Sequence, residues 1–171
     1  MQIIMTKYAG LSGTLRLLKE NRQRLAGRFN RMFMEETERL SGLLSTQAEE
    51  RLVRESGDCA VYAVGDGGIY PVLWELWTES GFGFEVDLRR IPFKQHTVEI
   101  CDYLDVNPFV IDGGGALVIV TDRTLALLEK LREGKIPARV IGRIAENKDK
   151  KLFRGEMVGY LNRPETYEST I

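Results

Sequence analysis

Histidine is almost missing from this chain: His96 is the only one in 171 residues. One imidazole excludes His-rich metal centres and gives a serine–histidine triad no support, although a single ring can still serve as an acid or base. Cysteine is scarce as well. Cys59 and Cys101 lie far apart without CxxC spacing, so neither a zinc site nor a disulfide framework is indicated. Both sit in apolar settings, where a thiol is expected to be buried and inert. There is no excess of either charge: 24 Lys and Arg against 25 Asp and Glu leave a formal net charge of −1. That balance offers no footprint for nucleic acid or an anionic membrane. No apolar run approaches a membrane span, and the opening MQIIMTKYAG has no charged region ahead of an apolar one. The expectation is a cytoplasmic protein. Repeats and low-complexity segments are absent too. What remains, 43% hydrophobic and 29% charged, suits a globular domain with one sizeable core.

The chain is organised around residues 59–92. Ala60 to Val64 is an apolar run short enough for a buried strand, punctuated by Gly65-Asp66-Gly67-Gly68. A helix then places Ile69, Leu73, Leu76 and Trp77 on one face. Gly81 and Gly83 end it, and Phe84 to Leu88 alternates as a half-buried strand does. Two readings stand for Gly65–Gly68. Successive backbone N–H groups at a helix N-terminus make a site for an anion, whereas on the plainer reading four small residues serve only a tight turn.

Gln2 to Lys7 forms a first strand. After it, Gly10, Ser12, Gly13 and Thr14 make a second strand-to-helix junction. Ser12 or Thr14 is expected to cap the helix, and Lys7 adds a positive charge that suits a phosphate there. Leu11, Leu15, Leu18, Leu25 and Phe29 form the inner stripe, with Lys19, Arg22, Arg24 and Arg28 on a basic outer face opposite Glu35, Glu36 and Glu38. Arg31 to Leu44 reads as one amphipathic helix with Met32 and Met34 as core filling. Ser45 is expected to cap the next helix, with Ala48, Leu52 and Val53 inward. Val98, Ile100, Cys101 and Leu104 mark a short helix. Gly113-Gly114-Gly115 precedes Ala116–Val120, the clearest buried strand. Thr121-Asp122 caps a helix with Leu125, Leu127, Leu128 and Leu131 inward, ended by Gly134. Ala138 to Ile144 is a strand, and Lys151–Phe153 with Met157–Leu161 form a hairpin turning at Gly155.

Several of these segments together resemble a known family. Gly67-Gly68-Ile69, Leu73-Trp74-Glu75-Leu76, Ser80-Gly81-Phe82-Gly83 and Ile91-Pro92 recur in order. They are followed by Asn107-Pro108 with its glycine loop, and by Ile136-Pro137-Ala138-Arg139-Val140-Ile141-Gly142. The pattern resembles the C-terminal domain of the AIR synthase (PurM)-related superfamily, and the opening TKYAGLSGT resembles its HypE-like hydrogenase maturation members. The resemblance covers nearly the whole chain. It implies an α+β fold, a mixed and largely antiparallel sheet with helices packed on its faces, over residues 1–161, followed by a polar tail over 162–171.

The resemblance also implies ATP-dependent chemistry, in which a separate N-terminal domain supplies most ATP and magnesium ligands and the dimer interface. That domain is absent from this sequence, so no cofactor is expected for the isolated chain. Where HypE-like relatives carry Asp-x-Thr-x-Gly-Gly, this chain has Ala63 and Gly65 in place of the Asp and Thr. Where relatives carry Ser-Ser-Gly, it has Gly113-Gly114-Gly115, and its end, Glu168-Ser169-Thr170-Ile171, lacks the terminal cysteine. Backbone N–H groups remain while catalytic side chains do not. The expected ligand-binding set is therefore Lys7, Gly10, Gly13, Thr14, Asp66, Gly67, Gly68, Gly113, Gly114 and Gly115, with Asp66 and Asp112 repelling phosphate unless a cation bridges them. The expected ligand is a small phosphorylated metabolite or nucleotide. The expected protein partner is the missing domain, a separate chain or a second copy. The readings are the substrate-binding half of such an enzyme, a stand-alone binding module, or a structural or regulatory partner, with thiamine-phosphate and α-ribazole kinase-like subfamilies also open.

Overall fold

The computed structural model describes residues 1–164; the rest of the proposed tail lies outside the described residues. The strands are β1 (Gln2–Thr6), β2 (Ala60–Ala63), β3 (Gly83–Asp87), β4 (Leu117–Thr121), β5 (Ala138–Ala145), β6 (Lys150–Arg154) and β7 (Met157–Tyr160). They form one sheet in the order β2-β4-β1-β5-β3-β6-β7. Every neighbouring pair is antiparallel except β3 with β6. The fold is the mixed, largely antiparallel α+β sheet that the sequence pattern implies.

Period-two alternation assigns the sheet's two faces. On one, Ile3, Met5, Phe84, Val86, Val118 and Val120 pack under α5 (Ile69–Ser80) through Ile69, Val72, Leu73 and Leu76. On the other, Ile4, Leu117 and Ile119 meet Leu127 and Leu131 of α7 (Thr124–Glu133) and Val53 of α4 (Gln47–Arg54). A third cluster joins α1 (Leu11–Glu20), α2 (Arg22–Ala26), α3 (Arg31–Glu38) and α6 (Gln95–Leu104) through Leu18, Leu25, Met34 and Ile100.

Several sequence expectations are corrected. The run Ala60–Val64 is not a wholly buried strand: β2 is an edge, and Ala60, Val61 and Ala63 are exposed while Tyr62 and Val64 are buried. An apolar run alone cannot separate an edge from a centre. Arg31–Leu44 is not one helix, because a 3-10 turn over Arg39–Leu43 follows α3. The tighter winding resets the angular spacing only beyond Glu38; Met32, in the first turn of α3, points out, 69% exposed. Leu125 is 80% exposed, since two residues of helix carry it about 200° round from Leu127. Val98 is likewise exposed. In α4 the inward residue is Glu49 rather than Ala48, because Glu49 has a buried cationic partner. Ser45 caps nothing; Thr46 stands at the N-cap, its hydroxyl donating to Glu50. Cys59 is half-buried, while Cys101 is fully buried.

Candidate functional site

The three glycine loops meet at one end of the sheet. The segment Asn107–Gly115 lies between the other two and is bonded to both. Its Asp112 carbonyl accepts the Gly13 amide at 2.7 Å, and its Gly113 amide donates to Gly65 at 3.0 Å. Its Phe109 carbonyl accepts the amide of Ile69, the first residue of α5, at 3.1 Å. Two glycines are required by this contact. A Cβ on Gly68, which sits at φ +73°, would collide with the Phe109 carbonyl oxygen, and one on Gly113 would collide with Val64.

These contacts use up much of the proposed anion cradle. The amides of Gly13, Gly68, Gly113 and Gly114 donate to Asp112, Gly65, Gly65 and the Asp112 carboxylate respectively. Gly115, at φ +106°, admits the backbone of Leu43 and Leu44. Neither Ser12 nor Thr14 caps α1: Gly10, at φ +72°, is the N-cap residue and carries no side-chain bond. Thr14 is wholly buried, donating to the Gly10 carbonyl at 2.6 Å and pairing with the Thr97 hydroxyl at 2.7 Å. Lys7 also turns inward. Its Nζ is 2.6 Å from Glu49 Oε1 and donates to the carbonyls of Leu43 and Ser45, each at 2.7 Å. Two ammonium donors are spent on backbone carbonyls, and its charge is paired with Glu49.

The solvent-facing polar groups are others. Arg16, one turn along α1 from Ser12, reaches across the loops with its Nη2 3.3 Å from Asp66 and 3.1 Å from Asp112. Ser12 donates to the same Asp112 oxygen at 3.2 Å. The cation that the two aspartates call for is therefore supplied by the protein itself. Arg16 was not among the sequence candidates, although its i+4 spacing from Ser12 places both on one helix face. Gly67 borders a cleft of about 340 Å³ whose walls include Tyr70, Pro71, Val110, Leu152 and Leu161. The β6–β7 hairpin thus closes one side of it. Tyr70 stacks at 6.2 Å on Phe109, over which the Arg154 guanidinium lies at 5.6 Å. Burial raises the Tyr70 phenol above its usual range, and the charge of Arg154 offsets part of that rise.

The family model described as AIR synthase related protein, C-terminal domain, matches residues 3–155. The chain belongs to this family. Its members of known structure share the architecture. Escherichia coli HypE, a hydrogenase maturation protein, is 21% identical with a TM-score of 0.75, over 96% of this chain and 50% of that one. HypE in a HypE–HypF complex is similar at 18% identity and 0.70, covering 95% and 52%. Thiamine-monophosphate kinase from Stenotrophomonas maltophilia gives 20% and 0.65, covering 94% and 51%. The chain spans about half the length of these proteins. By sequence, no curated protein matches it. Among the described residues no helix is long and apolar enough to cross a membrane.

Proposed function

We propose that this AIR synthase-related domain is the substrate-binding half of an ATP-dependent enzyme, holding a small phosphorylated metabolite beside the Gly65–Gly68 loop. The observation that carries the reading is the position of Arg16: an exposed guanidinium held by Asp112 and by Asp66, whose chain neighbour Gly67 lines an apolar cleft. The cleft suits the organic part of a ligand and the guanidinium its phosphate, through bidentate hydrogen bonds. Asp66, 79% exposed, can release Arg16 with little loss, since a surface pair contributes about 0–1 kcal/mol.

Among the described residues no group of three or more His, Cys, Asp or Glu side chains is placed to hold a metal. Asp66 and Asp112 nonetheless fit magnesium in the form it takes with nucleotides, one or two carboxylates with phosphate oxygens completing the shell. When bound, the ion would neutralise phosphate charge. The chain's own groups then divide the work: Arg16 binds and orients the phosphate, Ser12 fixes the Asp112 rotamer, and Tyr70 shields the organic part from water. The domain is not expected to hydrolyse ATP alone, because no Lys-Ser/Thr pair follows a phosphate loop in its sequence.

A thermal-shift screen with ATP, AMP, phosphoribosyl compounds, carbamoyl phosphate and thiamine phosphate, with and without magnesium, tests this. A ligand at one hundred times its dissociation constant adds about 2.7 kcal/mol. Arg16→Ala should remove the shift and Asp66→Asn its magnesium dependence. A shift indifferent to both changes would place binding elsewhere. A second reading, a regulatory or structural module that meets a separate chain, is favoured by one observation: a structural neighbour, HypE, occurs in complex with another protein, HypF. Absence of any ligand shift, with capture of a domain resembling the other half of HypE, would select it.

A further inference from the structure

The sheet has two open edges, and they differ in how they are guarded. At β2 the outward side chains are small, and Glu79 and Glu75 of α5 stand over Tyr62. Burial, the hydrogen bond to Glu79 and the charge of both glutamates raise its phenol above the usual range. Two copies meeting there would bring these acidic groups together, which is a recognised protection of an edge. At β7 there is no such guard. Met157, Val158 and Tyr160 are 66%, 52% and 60% exposed. The strand contains no Lys, Pro or bulge, and among the described residues nothing pairs with its outer side.

The hydrogen-bond pattern fixes which residues can use that edge. The Leu161 amide donates to the Lys150 carbonyl at 2.8 Å, and the β6–β7 register runs through Leu152↔Gly159 and Arg154↔Met157. In an antiparallel ladder, bonded pairs alternate. Leu161, Gly159 and Met157 therefore bond inward to β6, and Val158 and Tyr160 turn their N–H and C=O groups outward. A two-fold axis perpendicular to the sheet can only oppose residues of the same face, so it must be centred on a residue. Centred on Val158, it opposes the outward groups of Val158 to their own copies and sets Met157 opposite Gly159.

We propose that two copies of this chain associate through antiparallel β7–β7 pairing about a dyad at Val158. The side chains are self-complementary in that register. Val158 meets the partner's Val158, and Met157 lies over the partner's Gly159, where no side chain competes. A four-residue strand puts the contact in the small class, under roughly 1,200 Å², that gives transient rather than obligate dimers.

The test is sedimentation velocity on the full chain from about 10 µM to about 1 mM, the span over which weak dimers form. The wild-type protein should sediment increasingly as dimer. Val158→Lys and Val158→Glu each place like charges opposite one another at the dyad and should weaken association by about tenfold or more. An equimolar mixture of the two variants should restore it, because Lys then faces Glu. Position 158 is exposed, and far-UV circular dichroism checks that both variants remain folded. Val61→Lys, on the β2 edge, should leave association unchanged. A wild-type protein monomeric throughout the range overturns the proposal, whether the edge is bare or covered by the chain's own C-terminus. So does a mixture that stays monomeric while the wild-type protein dimerises, and so does loss of the dimer on changing Val61.

Discussion

Lys7 Nζ and Glu49 Oε1 lie 2.6 Å apart, with side chains only 6% and 2% exposed. The pair ties the end of β1 to the start of α4, and the carbonyls of Leu43 and Ser45 complete the ammonium's shell. Removing one partner strands a buried charge, which costs about 3–5 kcal/mol, whereas replacing both with apolar groups of similar volume is often neutral. Lys7→Ala should therefore lower the urea midpoint sharply, and Lys7→Met with Glu49→Leu should recover most of it. Ligand affinity of the folded fraction should be unchanged by either. A near-neutral Lys7→Ala would show that water already reaches the pair.

Gly68 and Gly42 make a controlled comparison. Gly68 has a left-handed φ and a carbonyl where its Cβ would stand, while a Cβ on Gly42 meets nothing within 4 Å. Gly68→Ala should cost about 2–4 kcal/mol through backbone strain and overpacking. Gly42→Ala should be neutral or stabilise by up to about 1 kcal/mol, by restricting the unfolded chain. Chemical denaturation of both variants is sufficient, and equal effects would contradict the packing of Gly68 against Phe109.

Acid should expose the Asp87–Arg89 contact. The Arg89 side chain donates to Asp87 at 3.0 and 3.2 Å and its amide donates at 3.0 Å. The side-chain bonds hold the carboxyl below its ordinary range, burial opposes them, and the Arg89 amide and the charges of Arg89 and Arg90 reinforce the lowering. A depressed folded-state pKa stabilises above the unfolded value, and the benefit disappears as pH falls through the folded one. The stability difference between wild type and Arg89→Ala should thus be present at neutral pH and shrink below about pH 4. Because the contact is near the surface the difference should be small. A gap that widens in acid would reverse the assignment.

The two thiols should separate by reactivity. Burial pushes the Cys101 thiol up to about 11, so almost no thiolate exists at pH 8 and no reagent can reach it. An aromatic disulfide reagent should modify half-buried Cys59 in the native protein, and Cys101 only after denaturation. Native labelling of Cys101 would mean that α6 opens readily.

Turns and sheet alternation were legible in the sequence because both are set by near neighbours. Gly81 ends α5, Gly155 turns the hairpin and Ala116–Val120 is buried, each as local pattern requires. What escaped local pattern was long-range pairing. Arg16 meets Asp66 and Asp112 across 50 and 96 residues, and Lys7 finds Glu49 rather than a phosphate. Nor does the sequence reveal that the hairpin walls the cleft, since that depends on β6 lying parallel to β3.

The place of β1 has a consequence for how the protein is made. Of the seven strands, the one synthesised first lies between β4 and β5, whose residues run from Leu117 to Ala145. At a synthesis rate of about 5–20 residues per second, its partners arrive roughly 6–30 seconds later. During that wait the apolar segment Ile3-Ile4-Met5 has no sheet to join. Ile3, Ile4 and Met5 end fully buried, so over that interval they are apolar surface for a chaperone to cover.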